Sequence, residues 1–180
     1  MPSSQNNFDA FVVNWVRNHW PTDTPILDVG AGSGKYGRLL CDTYPAMDAL
    51  EVHEPYVEEF GLKKYYRHIH TVDLREFAKT LLRDEYKLAI MGDVLEHLSA
   101  NDGQSVVQQL VNLGLSLIVV IPYLAEQDHA ISWEHHRQPD LTYGVMGIRY
   151  PQLVRLIDDE KKGVYADKAT MWGMPEWQPQ

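Results

Sequence analysis

The chain has 180 residues, 44% hydrophobic and 23% charged, ordinary globular values that suit one domain with a sizeable core. Its net charge of −9 argues against a broad nucleic-acid or anionic-membrane footprint, because such partners attract basic surfaces. A single cysteine, Cys41, excludes an internal disulfide, no apolar run reaches membrane-span length, and Met1 to Gln5 lacks the charged and apolar parts of a signal peptide, so a cytoplasmic protein is expected.

Phe8, Phe11, Val12, Trp15, Val16 and His19 draw one apolar stripe at helical spacing, with Asn7 placed to cap the helix and Pro21 to end it. Such a helix either packs on a sheet edge or lies over a substrate as a lid. The next stretch, Ile26 to Leu40, reads ILDVGAGSGKYGRLL: strand, tight turn, helix. Gly30, Gly32 and Gly34 remove the Cβ atoms that would keep a ligand off the main chain. The N–H groups opening the helix face whatever sits above the strand tip, and Asp28 adds a carboxylate there.

Three nucleotide-type loops compete for this stretch. A phosphate-cradling GxxxxGK[ST] loop fails, since its first glycine position is Val29 and Tyr36 follows Lys35 where a metal-binding hydroxyl belongs. A dinucleotide GxGxxG threads through Gly32, Gly34 and Gly37, which would make the protein a nicotinamide-dependent oxidoreductase, but it leaves Gly30 unused and sets Asp28 near a pyrophosphate. The third reading, DxGxGxG, brings an acidic strand end to a ligand carrying an ammonium or sulfonium charge.

A second strand is expected over Asp48 to Val52, with Pro55 opening the helix that Gly61 closes. Glu51 falls where a βαβ unit delivers the end of its second strand, and a carboxylate there accepts hydrogen bonds from a ribose diol and repels a 2′-phosphate. Glu54 is its rival, with a plain reading as a helix N-terminal charge. The cluster Lys63, Lys64, Tyr65, Tyr66, Arg67 and His68 reads as a solvated loop or as a grip on an acidic substrate. A third strand, about Arg67 to Val72, ends at Asp73, which with Glu76 completes a capping box.

Tyr86 to Gly92 is a continuous apolar strand of the kind buried on both faces of a parallel sheet, followed by Asp93-Val94-Leu95-Glu96-His97. Ser99 or Asp102 caps a helix running over Val106 to Leu113, and a fifth strand spans Leu117 to Ile121. The alternation points to an α/β fold, a doubly wound, mostly parallel sheet. Ala125 to Thr142 is a long connection of the sort that builds substrate pockets. Tyr150 to Asp159 reads as a further helix, and Gly163 to Gln180 leaves room for one or two short strands.

Taken together, the DxGxGxG loop, the acidic end of the second strand, Asp73 and GDVLEHL resemble, in order and spacing, the class I S-adenosylmethionine-dependent methyltransferases over roughly Ile26 to Ile121. EVHEPYVEEFGL and MGDVLEHL look particularly like small bacterial and viral members. The resemblance implies a Rossmann-like methyltransferase fold whose C-terminal hairpin is here shortened. It also implies S-adenosylmethionine as cofactor, with Asp28, Gly30, Ala31, Gly32 and Gly34 at its methionine part and Glu51 on the ribose. Asp73 and the neighbouring N–H of Leu74 take the adenine, and main-chain atoms near Gly92 help hold the amino group. The chain divides into an N-terminal helix within 1–22, a cofactor-binding core over 26–121 and substrate-side and C-terminal elements over 122–180.

The implied reaction is methyl transfer to oxygen or nitrogen of a small molecule, and its alternative is cofactor binding with a different reaction or no turnover. Methyl transfer asks the protein to align a nucleophile and take its proton, for which His97, His129, His135 and His136 are candidates and His97 and His135 the chosen pair. No (D/N)PPY motif follows the fourth strand, which argues against DNA amino-methylation. If Asp93 to His97 is helical, Asp93, Glu96 and His97 share one face. Similar ExxEH segments bind a divalent metal in some O-methyltransferases, and His136 would complete the set here. The plain alternative is a Glu96–His97 hydrogen-bonded pair.

Overall fold

In the computed structural model, which describes residues 9–123, 152–158 and 166–172, the apolar runs become strands covered on both faces. Along the chain lie α1 (Asp9–His19), β1 (Ile26–Val29), α2 (Lys35–Leu40), β2 (Met47–Leu50), α3 (Pro55–Glu59), β3 (Ile69–His70) and α4 (Leu74–Thr80). There follow β4 (Leu88–Gly92), α5 (Ala100–Asn112), β5 (Ser116–Tyr123), β6 (Gln152–Asp158) and β7 (Ala166–Trp172). Short 3-10 turns occupy Leu62–Lys64 and Leu95–His97.

The seven strands form one sheet in the order β3-β2-β1-β4-β5-β7-β6. β1 to β5 are parallel, and β7 runs antiparallel between β5 and β6. Alternate residues feed two cores. Ile26, Ile90 and Ile118 pack with Val12, Val16, Tyr36 and Leu40 of α1 and α2. Leu27, Val29, Met91 and Leu117 pack with Phe77, Val106 and Leu110 of α4 and α5. Each such buried side chain contributes about 1.5–3 kcal/mol. β2 and β4 flank β1 on opposite sides, so the strand order reverses at β1 and β4, and a crevice opens beyond their carboxyl ends.

The open edge is fastened by a buried carboxylate. Asp48 of β2 accepts from Arg67 Nε (3.0 Å) and Nη2 (2.7 Å), the His68 N–H (3.0 Å) and the Tyr86 hydroxyl (2.8 Å). Of the cluster that reads as a solvated loop or a substrate grip, Lys63, Lys64, Arg67 and His68 are exposed, with Arg67 also paired to Asp48, while Tyr66 is buried and Arg38 lies over Tyr65.

One expectation gives way at the C-terminal side. Within the helix expected over Tyr150 to Asp159, Gln152–Asp158 instead form β6, which pairs antiparallel with β7, each strand having seven residues. The register shifts between Leu153 and Arg155, leaving Val154 as an extra residue in the strand. That bulge breaks the two-residue alternation, and the apolar spacing that remains mimics a helix. Among the described residues no helix is long and apolar enough to cross a membrane.

Candidate functional site

The crevice at the carboxyl ends of β1, β2 and β4 is built around the glycine loop. The N–H groups of Gly30 (2.7 Å) and Ala31 (3.2 Å) both donate to the Leu50 carbonyl, and the Gly34 N–H returns to the Ala31 carbonyl (2.7 Å). Such a turn needs left-handed backbone, and Gly30, Gly32 and Gly34 have φ of +68°, +51° and +78°. Space demands glycine too: a Cβ on Gly30 would fall 2.5 Å from Val94 Cγ2, so the turn after β4 leans directly onto the loop. At Gly92 a Cβ would come 2.9 Å from Tyr36 Cε2.

Glu51, 5% exposed, follows β2 and joins the loop to the next turn. The Gly32 N–H donates to its Oε2 (2.7 Å) and the His53 N–H to its Oε1 (2.8 Å). Beside it Val52 is 62% exposed, a large apolar side chain at a strand tip that sequence reasoning passed over. Its rival carboxylate, Glu54, is an exposed residue at the start of α3.

Asp28, in β1, lies beneath the glycine loop. It is 2% exposed, and the Tyr66 hydroxyl donates to its Oδ2 (2.5 Å). Burial pushes its carboxyl up to about 7 against the opposing pull of Tyr66 and Lys35. Gly37, the third glycine of the dinucleotide reading, lies inside α2, donates its N–H to the Tyr66 hydroxyl oxygen (3.0 Å), and could not carry a Cβ, which would fall 2.4 Å from Tyr66 Cζ. Contact with Tyr66 accounts for that glycine.

No protein-family model matches the sequence, and no curated protein matches it. Solved structures do. The bifunctional kinase-methyltransferase WbdD superposes with a TM-score of 0.66 at 14% identity, covering 95% of this chain and 42% of that one. Magnesium protoporphyrin IX methyltransferase from Synechocystis PCC 6803, with bound S-adenosylmethionine, gives 0.60 at 17% identity over 90% of this chain and 76% of that one. An S-adenosylmethionine-dependent methyltransferase from Aquifex aeolicus gives 0.58 at 15% identity, covering 92% of each chain. The fold is the Rossmann-like fold of S-adenosylmethionine-dependent methyltransferases. Against WbdD the chain spans less than half of the partner's length.

In this methyltransferase fold Asp73 caps α4, accepting from the Arg75 N–H (2.8 Å). Both its oxygens also receive the Arg75 guanidinium, through Nε (2.8 Å) and Nη2 (2.7 Å), which holds the carboxyl below its usual range. The expected capping box is not formed: the Asp73 carboxylate takes the Arg75 N–H, the Glu76 N–H donates to the Asp73 carbonyl (3.0 Å), and the Glu76 carboxylate receives Lys79 Nζ (2.7 Å). Leu74 is the buried first residue of α4.

The segment after β4 departs from the helix on which the metal reading rested. Asp93 has φ of +54°, its N–H donates to the Val120 carbonyl (2.8 Å), and only Leu95–His97 makes a 3-10 turn. Asp93, Glu96 and His97 therefore do not share a helical face. Among the described residues no group of three or more His, Cys, Asp or Glu side chains could hold a metal ion. Glu96 is fully buried and His97 partly so. His129, His135 and His136 lie outside the described residues.

Proposed function

We propose that the chain binds S-adenosylmethionine at the carboxyl ends of β1, β2 and β4 and transfers its methyl group to oxygen or nitrogen of a small molecule. The observation that carries this reading is the Glu51 carboxylate accepting the Gly32 N–H at the strand-order reversal. In a dinucleotide site a pyrophosphate would sit on those loop amides. Here a carboxylate already takes the Gly32 N–H, and an anion beside it would be repelled.

The residues fit the cofactor in its parts. A carboxylate has about four acceptor positions, so Glu51 can hold Gly32 and His53 and still accept from a ribose diol. Val52 offers an apolar surface to the adenine ring. Asp73 and the Leu74 N–H address the adenine edge, with Arg75 keeping the carboxylate ionised. Gly30, Ala31, Gly32 and Gly34 let the methionine part approach the main chain, and carbonyls near Gly92 receive its amino group. Asp28 stands directly beneath this methionine part, held by Tyr66.

When bound, the cofactor supplies a methyl carbon activated by its sulfonium. The chain's own work is to hold a nucleophile in line with that carbon and to take its proton. His97, in the turn directly after β4, and His135 are the bases proposed for that step. Incubating the protein with S-adenosylmethionine and a small-metabolite pool tests the reading. Acceptor-dependent release of S-adenosylhomocysteine, lost in His97→Ala, is expected; no release in any fraction would overturn turnover.

A further inference from the structure

We propose that Tyr66 is a positioning residue for the glycine loop, its hydroxyl joining β1 to the first turn of α2 from beneath. For its effect on ligand affinity this rests on the cofactor reading above; for its effect on the loop it does not. The hydroxyl donates to Asp28 Oδ2 (2.5 Å) and accepts the Gly37 N–H (3.0 Å), and those two residues lie on either side of Gly30 to Gly34. Its ring leaves no room for a side chain at position 37, where a Cβ would fall 2.4 Å from Cζ. The same segment backs the loop again nearby. Leu62 Cδ2 would stand 2.8 Å from a Cβ on Gly34, and Arg38, over the Tyr65 ring, donates to the Ser33 carbonyl. Leu62, Tyr65 and Tyr66, for which no cofactor role is proposed, thus form the loop's support.

The strut contains a titrating group. Asp28 is faced by Tyr66, by Lys35 and the Gly37 N–H from α2, and by Glu51 from the end of β2. Burial raises its carboxyl most and Glu51 adds to this, while Tyr66, Lys35 and Gly37 oppose, leaving it at about 7. Tyr66 is itself raised well above its ordinary value by burial and by Asp28, so its hydroxyl remains a donor. Lys35 also pairs with Asp9 of α1 (3.0 Å), and Arg38 faces Tyr66 from α2. Above the midpoint Tyr66 donates to a carboxylate, a stronger bond than to a protonated acid. The hold that Tyr66 exerts on the loop through Asp28 is therefore strongest above that midpoint.

The test follows the Asp28 carboxyl carbon by NMR and Gly37 amide exchange in the ligand-free wild type, Tyr66→Phe and Asp28→Asn, from about pH 5 to 9. The same proteins are titrated with S-adenosylhomocysteine. Tyr66→Phe should raise the Asp28 midpoint by about one to two pH units, speed Gly37 exchange, and weaken binding by about tenfold, with the binding profile moving alongside the midpoint. Asp28→Asn should flatten the pH dependence of binding. An Asp28 midpoint unmoved by Tyr66→Phe, or binding and pH profile unchanged in the folded variant, would overturn the proposal. A moved midpoint and faster exchange in a wild type and variant that never bind S-adenosylhomocysteine would uphold the strut and sink the cofactor reading.

Discussion

Asp28 and Asp48 sit on neighbouring strands and both are shielded from solvent, yet their carboxyls are pushed in opposite directions. Burial raises both, more for Asp28 deep in the sheet than for Asp48 towards its edge, and the donors widen the difference. Asp48 receives the Arg67 fork, the Tyr86 hydroxyl and the His68 N–H, which together outweigh burial and hold it below the usual carboxylate range. Asp28 has one hydroxyl donor, weaker help from Lys35 and Gly37, and Glu51 facing it, and burial wins. A charge fully satisfied by fixed donors fastens the sheet edge. One left partly satisfied under a loop makes that loop responsive to protons.

The contrast breaks most clearly at Asp48→Ala, which returns the half-exposed Arg67 guanidinium to solvent and leaves the buried Tyr86 hydroxyl and the His68 N–H without this acceptor. Urea unfolding should show a loss of about 2–4 kcal/mol. Because Asp48 is depressed in the folded state, the part of its contribution that depends on ionisation is present above the ordinary carboxyl value of 3.8 and is lost as pH falls through the folded value.

Asp28→Asn should act with the opposite sign. With the folded carboxyl at about 7 against an ordinary 3.8, the folded wild type holds a proton that the unfolded chain has lost, so its stability falls as pH rises across that interval. Relative to wild type, the asparagine variant should gain up to about 4 kcal/mol between pH 4 and 8 in parallel urea titrations. An advantage that does not change with pH would show that Asp28 ionises freely. The smallest effect belongs to Tyr86→Phe, which removes one of four donors to Asp48 and should cost about 1 kcal/mol while leaving Asp48 ionised near pH 5.

What the sequence discloses and what it withholds divide along the same line, local against distant. The strand, glycine turn and helix over Ile26 to Leu40 are legible because each signal lies within the stretch itself. The same holds for Ser99, whose Oγ accepts the Asp102 N–H (3.2 Å) at the start of α5. Tyr66 was hidden, because its partners Asp28 and Gly37 are distant in sequence and meet only when β3 pairs with β2. Asp73 took Arg75 rather than a box with Glu76 because a guanidinium fork competes better for a carboxylate than a reciprocal cap. Positive φ at Asp93, which ended the helix expected over Asp93 to His97, has no residue-type signal beyond aspartate's tolerance of that region. In β6 the bulge at Val154 erased the one periodicity that would have marked a strand.

We propose that Glu51, which accepts the Gly32 N–H, joins the glycine loop to a bound ribose. Calorimetric titration of the dialysed protein with S-adenosylhomocysteine, run beside a Glu51→Ala variant shown to be folded by circular dichroism, tests it most directly. Binding by the wild type and weakening of at least about tenfold in the variant is the predicted result. A folded wild type that does not bind, or a variant that binds equally well, would contradict it.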